Sequence, residues 1–426
     1  MTASEQLAQF AAGSKALPKL CREYKKESAT VHLKELVGGA LSFYAAAAVA
    51  KTGGVHIFVA EDRDAAAYLL NDFYNLLDEK QVYFFPSSYK RSVAYGAEDA
   101  QGVVQRTAAM NAVRGFTKGY LVVCTYPEAL AERVVDAATL QRDTIAVKLG
   151  DKISIAVLED ALADANFTRV DFVYEPGQYS VRGGIVDVFS YSESKPYRID
   201  FFGDEVDSIR RFNISSQLSA DKLDRVEIVP NLNAGEAPRV SFVQFAGSGA
   251  TCWFYDADYV LRRVNDLRRK VLADMEEPGQ IDRLLTSRNV LLRDMAGNSV
   301  VALRDNLPER PATAAVVFDT APQPKFNKNF EMLADDMIRN SLRGYATYIL
   351  SENKVQVERL ENIFHQIGRG QAAVRSLSVT LHEGFVDNDL KLCLYTDHQI
   401  FDRYQRYRIN GEIRRDEQMT VAELNQ

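Results

Sequence analysis

The stretch Glu175–Phe212 reads EPGQYSVRGGIVDVFSYSESKPYRIDFFGDEVDSIRRF, and the rest of the chain is organised around it. Residues Tyr197–Phe202 (YRIDFF) alternate strictly, so a β-strand here places its tyrosine, its isoleucine and its first phenylalanine on one face. We expect that apolar face to contact a core. The opposite face would carry Arg198 and Phe202, and a large aromatic belongs on such a face only if something covers it.

A tight turn follows this strand. Gly203-Asp204 is a pair that favours turns, and Val206–Phe212 has the pattern of a return strand, so the two segments predict a β-hairpin. We therefore predict that the hairpin presents a partner-binding surface.

The composition limits the class of protein. At 426 residues the chain is long enough for roughly two to four domains. Its 51 basic and 58 acidic residues give a net charge of −7, which excludes a broad basic surface for wrapping duplex DNA. The chain shows no signal-peptide pattern, and its longest apolar run, Leu41–Ala50, is shorter than the about 20 residues that a membrane span needs. We expect a cytoplasmic protein without a membrane partner.

The four cysteines lie far apart and fit neither a zinc spacing nor a disulfide scaffold. We expect reduced, buried thiols. The five histidines are also scattered, with no nucleophile or metal ligand in register, so we predict no metal site and no catalytic residue.

The N-terminal part alternates between strands and helices. Strand patterns occur at Val31–Leu36, Val55–Ala60, Val82–Phe85 and Gly119–Thr125, with helical patterns between them. This order predicts a doubly wound α/β domain.

The first strand–turn–helix of such a domain is where a nucleotide site would lie. A phosphate loop needs the pattern G-x-x-x-x-G-K-[ST], in which lysine contacts the terminal phosphates. Here Gly38, Gly39 and Ser42 stand in LVGGALSFY, and neither the lysine nor the metal-binding hydroxyl falls in register. The run Lys51–Gly54 has its glycines after the lysine, which is a helix C-cap signal. We predict a degenerate phosphate loop and no cofactor in this chain.

A second helicase-like motif occurs in the opening stretch. Residues Asp204–Asp207 (DEVD) have the letters of a metal-and-water box, which must end a buried parallel strand beside a phosphate loop. Because they follow Gly203, we interpret them as part of a turn.

The pattern changes near Val134. Strand candidates at Arg169–Tyr174, Tyr179–Phe189 and Tyr197–Phe202 follow one another with short turns, which predicts an inserted α+β module. Prolines between Pro308 and Pro324 indicate a linker. We predict a discontinuous α/β domain at 1–133 and 216–311, an inserted module at 134–215, and a small separate α/β domain at 312–426.

The motif GQYSVRGGIVDVF…PYRIDFFGDEVDSIRRF resembles the module shared by the bacterial transcription-repair coupling factor (Mfd) and the excision-repair subunit UvrB. The degenerate phosphate loop favours the coupling-factor family, since UvrB resembles a helicase with an intact loop. The segment GFVDNDLKLCLYTDHQIFDRYQRYR also looks like that family's third domain. The resemblance implies a UvrB-like, degenerate P-loop (helicase-type) α/β domain with an inserted module, equivalent to the N-terminal part of the family protein.

In that family the inserted module binds UvrA, the damage-recognition ATPase of nucleotide excision repair. The resemblance carries this contact over to Arg182, Arg198 and Phe202. The alternative for the two arginines is an ion pair within the module, to Asp187 or Asp200.

The resemblance further implies that a C-terminal domain, absent here, covers this surface in an autoinhibited full-length protein. RNA polymerase and duplex DNA would be partners of that full-length protein. ATP and Mg²⁺ would be expected only at its translocase motor.

Two rival functions remain open at this point. One is an active DNA-dependent ATPase of UvrB type, using Lys51-Thr52 and Asp204-Glu205. The other is a nucleic-acid-binding protein that uses the basic helix Asp258–Glu277, although a solvated face explains that helix equally well.

Overall fold

The computed structural model describes residues 2–89, 98–233, 237–275, 277–405 and 407–409. The first segment contains α1 (Ala3–Ala12), α2 (Ala16–Tyr24), β1 (Thr30–Lys34), α3 (Ala40–Thr52), β2 (Gly54–Val59), α4 (Arg63–Leu76), β3 (Val82–Phe84), α5 (Ala100–Gly115), β4 (Tyr120–Thr125), α6 (Pro127–Ala131), β5 (Val134–Val135) and α7 (Ala137–Asp143). The second contains β6 (Ile145–Lys148), α8 (Ile155–Asp164), β7 (Thr168–Arg169), β8 (Gln178–Arg182), β9 (Ile185–Val188), β10 (Tyr197–Phe202), β11 (Glu205–Phe212), β12 (Ser219–Leu223) and β13 (Arg225–Ile228). The third contains β14 (Arg239–Val240), α9 (Phe242–Ala246), β15 (Thr251–Phe254), α10 (Ala257–Asp274), α11 (Ile281–Leu284), α12 (Arg288–Asp294), β16 (Ser299–Ala302) and β17 (Ala314–Val317). The fourth contains β18 (Thr320–Pro322), α13 (Phe330–Leu342), β19 (Ala346–Leu350), α14 (Lys354–Gln366), β20 (Ser376–Leu377), β21 (Phe385–Asp387), β22 (Leu392–Thr396) and α15 (Asp397–Ile400).

A seven-stranded parallel sheet forms the first body, in the order β17-β1-β16-β15-β2-β4-β3. Its central strands are buried along nearly their whole length, as parallel strands covered on both faces are. Gly53 caps the C-terminus of α3 with a positive φ of 62°, and its N–H donates to the carbonyl of Val49. The C-cap interpretation of Lys51–Gly54 is therefore confirmed.

The inserted module is a six-stranded sheet in the order β12-β11-β10-β9-β8-β7, with β13 and β6 paired beside it. One face of this sheet packs on α8 and on the β6–β13 ribbon around a separate hydrophobic core. That core contains Tyr197 and Ile199, and Phe201 packs against it. The expectation that this face of YRIDFF meets a core is confirmed.

Two predicted boundaries fall inside paired elements. The boundary after residue 215 separates β12 and β13 from their partners, because β12 pairs with β11 and β13 pairs with β6. The boundary after residue 311 assigns β17 to the third domain, whereas β17 pairs with β1 in the parallel sheet. Backbone pairing across the sheets, which a change of pattern does not reveal, moves both boundaries towards the C-terminus.

Local strand predictions for the module also need correction. Tyr179–Phe189 is a hairpin, β8 and β9, because Gly183 adopts a positive φ of 60° and turns the chain. Only Thr168–Arg169 of the third strand candidate is extended in the sheet. The four-residue strand β16 was not predicted, because a segment so short carries little periodicity.

The third body is a five-stranded sheet, β18-β21-β22-β19-β20. Leu392 and Leu394 of β22 join the core of the first body, whereas Cys393 and Tyr395 join the core under α13 and α14. This sheet is therefore not separate from the first body, because one of its faces packs directly against it. Residues 410–426 of the predicted third domain lie outside the described residues.

Candidate partner-binding site

The outer face of the six-stranded sheet carries all three predicted partner-binding residues. Strand alternation places Arg182 of β8, Arg198 of β10 and Phe202 of β10 on the face opposite the core. The register aligns Arg198 with Asp187 of β9 and with Arg210 of β11. We call this set of side chains the outer face.

Asp187 is the centre of the outer face. Its carboxylate is 2% exposed and accepts two bonds from Arg198, from Nε at 2.7 Å and from Nη2 at 2.8 Å. Arg182 Nη2 donates to the same carboxylate at 2.5 Å. A buried carboxylate with two guanidinium partners fixes both side chains, because bidentate geometry is directional. The ion-pair alternative for the two arginines is thus what the structure contains, and it gathers them rather than dispersing them.

The two arginines differ in exposure and in aromatic contacts. The Arg198 side chain is 14% exposed, and its guanidinium carbon lies 4.3 Å from the centre of the Phe212 ring. The Arg182 side chain is 38% exposed and stacks on the half-exposed ring of Phe172, at 4.8 Å. Hydrogen bonding to Asp187 raises the pKa of Arg198 above its ordinary value, so this guanidinium is charged at every physiological pH. The sequence analysis missed Phe172, because an aromatic in a loop carries no periodic signal.

Phe202 lies at the end of the hairpin and is 83% exposed. It pairs across the turn with Glu205, and Gly203 between them has a positive φ of 63°. A positive φ at the first central position is what a type II′ hairpin turn needs. The ring lies four residues from Arg198 along the strand, about 13 Å away. The structure therefore places Phe202 on the arginines' face but beyond their ion pair.

Asp200 lies between these groups on the same face. It accepts from Arg210 at 2.6 Å and is also hydrogen-bonded to Ser208. The return strand is bulged, because Asp200 pairs with Ser208 whereas Phe201 pairs with Val206. The DEVD letters thus occupy a turn and a bulged antiparallel strand, and the turn interpretation of Asp204–Asp207 is confirmed.

The degenerate phosphate loop is covered by the third body. A Cβ atom at Gly39 would overlap the carbonyl oxygen of Glu383, and one at Gly38 would lie 3.1 Å from the Glu383 carboxylate. Ser42 is fully buried, and its hydroxyl donates to Asp72 Oδ2 at 2.7 Å. The three residues of the predicted loop therefore make contacts within the protein.

Asp72 connects the same loop to the third body. His382 donates its backbone N–H to Asp72 Oδ1 at 2.7 Å, and His382 Nδ1 lies 2.5 Å from Asp72 Oδ2. Burial disfavours the charged imidazole, but the Asp72 carboxylate outweighs it and raises the pKa of His382 to about 9.

The basic helix α10 is largely charge-compensated. Four of the five cationic residues between Arg262 and Lys270 form ion pairs, namely Arg262 with Asp258, Arg263 with Glu128, Arg268 with Asp282, and Arg269 with Asp266. Paired charges release few counterions from a polyanion, so this helix favours the solvated-face interpretation over a nucleic-acid site.

All four cysteines are free and buried. Across the described ranges, no cluster of histidine, cysteine and acidic side chains has the arrangement of a metal site. None of the helices in the described part of the chain combines the length and apolar character of a membrane span.

Comparison with known proteins identifies the module. Residues 145–233 match the family described as the UvrB interaction domain, a range that covers β6 through β13 and the outer face. The inserted six-stranded sheet is thus a UvrB interaction domain.

The chain is also similar to curated transcription-repair-coupling factors. It is 27% identical to that of Bacillus subtilis and 27% identical to that of Escherichia coli, over 199 residues in each case, which is 46% of this chain and 17% of each relative. The Haemophilus influenzae protein is 35% identical over 101 residues, 24% of this chain and 9% of the relative. The matched region thus spans less than a fifth of each relative. The resemblance to the coupling-factor family is confirmed.

Proposed function

We propose that this chain serves transcription-coupled DNA repair by recruiting UvrA through the outer face of its UvrB interaction domain. The observation that carries the proposal is the 83% exposure of Phe202, beside an arginine pair fixed by one buried carboxylate. An aromatic ring held out on a rigid hairpin supplies contact area at little entropic cost.

The charge of the outer face supports an acidic partner surface. Arg182 and Arg198 carry two positive charges and Asp187 carries one negative charge, so the cluster keeps one net positive charge. Because Asp187 already fixes both guanidiniums, a partner carboxylate would meet ordered donors and pay little to orient them. Arg182, the more exposed of the two, would make the direct contact, and Arg198 would hold the arrangement.

We further propose that this region takes part in autoinhibition of a longer protein. A face with a fully presented phenylalanine is suited to being covered by another domain, because such covering buries apolar area. RNA polymerase and duplex DNA would then be engaged by the longer protein, and release of the outer face would follow that engagement.

We infer that the parallel sheet retains a UvrB-type helicase arrangement whose nucleotide chemistry has been lost. Three contacts support this inference: Glu383 lies against Gly38 and Gly39, Ser42 donates to Asp72, and the loop has no lysine in register. The chain would therefore hydrolyse no ATP, in contrast to the rival ATPase function. Titration with a fluorescent ATP analogue should show no saturable binding in the micromolar range, whereas saturation would support that rival.

A binding experiment with purified UvrA tests the recruitment proposal. Phe202→Ala should weaken binding by about 30-fold or more, because truncating an aromatic anchor typically costs about 2 kcal/mol. The matched control is Tyr404→Ala, which removes another exposed aromatic (99% exposed) from outside the module. Arg198→Ala combined with Phe202→Ala should abolish capture.

The single variant separates recognition from folding. Phe202 is too exposed to support the core, so its removal should leave thermal unfolding unchanged within about 0.5 kcal/mol. Wild-type capture of UvrA by the Arg198→Ala/Phe202→Ala variant would contradict the proposal, as would an equal loss of binding with Tyr404→Ala.

A further inference from the structure

A second concave site lies far in the fold from the outer face. A cavity of about 400 Å³ opens at the carboxyl ends of β1, β2, β15 and β16. Helices α3 and α4 and the segment His382-Glu383 of the third body close its sides. The carboxyl ends of parallel strands are where open α/β sheets bind ligands. The recruitment proposal makes no use of this cavity.

Aromatic side chains line much of the cavity. Phe58 and Trp253 stack with ring centres 5.0 Å apart and an interplanar angle of 19°. Tyr68 of α4 and Tyr255 after β15 add two further rings, and leucines fill the intervening surface. A flat aromatic body therefore fits the shape and apolar character of this lining.

The charges at the cavity are acidic. Glu61 and Glu383 contribute carboxylates, and the lining within the described ranges includes neither lysine nor arginine. His382 is compensated by Asp72, to which it is bonded. Arg304, next to the lining residue Leu303, lies over the Tyr255 ring at 5.7 Å and 3.8 Å from Asp256.

The place that an anion would take is already occupied. Glu383 holds its carboxylate against the Gly38 turn, where α3 begins, so the positive end of that helix faces a negative charge. A phosphate would be repelled by this carboxylate and by Glu61. A cation would instead meet two carboxylates and the faces of aromatic rings.

We propose that this cavity binds a planar aromatic cation, an amidinium or guanidinium carried on an aromatic ring. The ring lies among Phe58, Trp253 and Tyr68, and the cation faces Glu61 and Glu383. This inference is independent of UvrA recruitment, because none of these residues belongs to the inserted module.

Trp253 provides a direct test, because it is the only tryptophan of the chain and it lines the cavity. Benzamidine should change Trp253 fluorescence saturably, with a Kd on the order of 1 mM, as expected for a ligand of this size. Benzamide, the neutral isostere, and benzoate, the anion, should bind at least tenfold more weakly. Ligand-observed NMR provides an independent measurement of the same three probes.

Variants connect the preference to the carboxylates. Glu61→Gln combined with Glu383→Gln should remove the advantage of benzamidine over benzamide. Both side chains are exposed, so the variant should fold, and Glu358→Gln, on the exposed surface of α14, is the matched control. Absence of saturable binding, equal binding of benzamidine and benzamide, tighter binding of benzoate, or an unchanged preference in the double variant would each overturn the proposal.

Discussion

At the scale of residues, Asp187 has the largest structural role on the outer face. It is 2% exposed and bonded to two guanidiniums from two other strands. Removing one partner of a buried ion pair leaves an uncompensated charge, which costs more than the pair itself contributes. Asp187 is therefore a positioning residue for Arg182 and Arg198.

Asp187→Asn should destabilise the inserted module by about 3 kcal/mol, because the mostly buried Arg198 guanidinium loses its carboxylate. Asp200→Asn, at a pair whose arginine is 32% exposed, should cost about 1 kcal/mol or less. Hydrogen exchange of β8–β10 is the suitable measurement, since the only tryptophan lies in another body. Equal loss of protection in the two variants would show that Asp187 has no special role.

At the scale of elements, the β10–β11 hairpin sets the direction in which Phe202 points. Its turn depends on Gly203, whose φ of 63° is a conformation that L side chains rarely adopt. The bulge at Asp207 then restores the alternation of β11, so that Val206 and Ile209 both reach the core. Turn and bulge together keep Phe202 exposed while Phe201 packs inward.

Gly203→Ala should lower the free energy of unfolding of the module by about 1 kcal/mol, because alanine is strained at this φ. Nothing lies within 4 Å of the new methyl group, so the cost comes from the backbone alone. The control is Gly115→Ala at the end of α5, where the surroundings are also open and φ is not positive, and a neutral or stabilising effect is expected. Calorimetric unfolding of both variants measures the difference. A neutral Gly203→Ala would mean that the turn relaxes to another type.

At the scale of the whole molecule, the third body is tied to the first over the former phosphate loop. Tyr44 of α3 donates to Asp387 at 2.5 Å, and Phe43 packs on Phe385 with ring centres 5.3 Å apart. The Asp72–His382 pair closes the same interface. Loss of nucleotide chemistry and docking of the third body therefore occur at one place.

This interface should depend on pH. The pKa of His382 is about 9 in the folded protein against an ordinary 6.5, so the stabilisation is complete below pH 6.5 and is lost as pH rises through 9. We expect unfolding followed by Trp253 fluorescence to show a loss of about 1–3 kcal/mol over this range. His382→Gln cannot be protonated there and should give a flatter profile. Identical profiles for wild type and variant would show that this pair does not set the pH dependence.

Prediction from sequence succeeded where a pattern is local and failed where pairing is distant. The alternation of Tyr197–Phe202 and the glycine after it were sufficient to predict the hairpin and its apolar face. The boundaries after residues 215 and 311 misplaced β13 and β17, because each pairs with a strand far away in the sequence. The hairpin at Gly183 was merged into one strand, since two short strands separated by two glycines have the same apolar pattern as one long strand.

The sequence by itself determined that the phosphate loop lacks its lysine and that YRIDFF turns one face to a core, because motif spacing and side-chain period are properties of neighbouring residues. Only the tertiary structure decided that Arg182 and Arg198 meet on Asp187 and that Phe202 lies exposed beyond them. It also decided that Glu383 covers Gly39 from a distant part of the chain. Burial and ion-pair partners depend on which strands and bodies pack together, and that packing is set by the core as a whole.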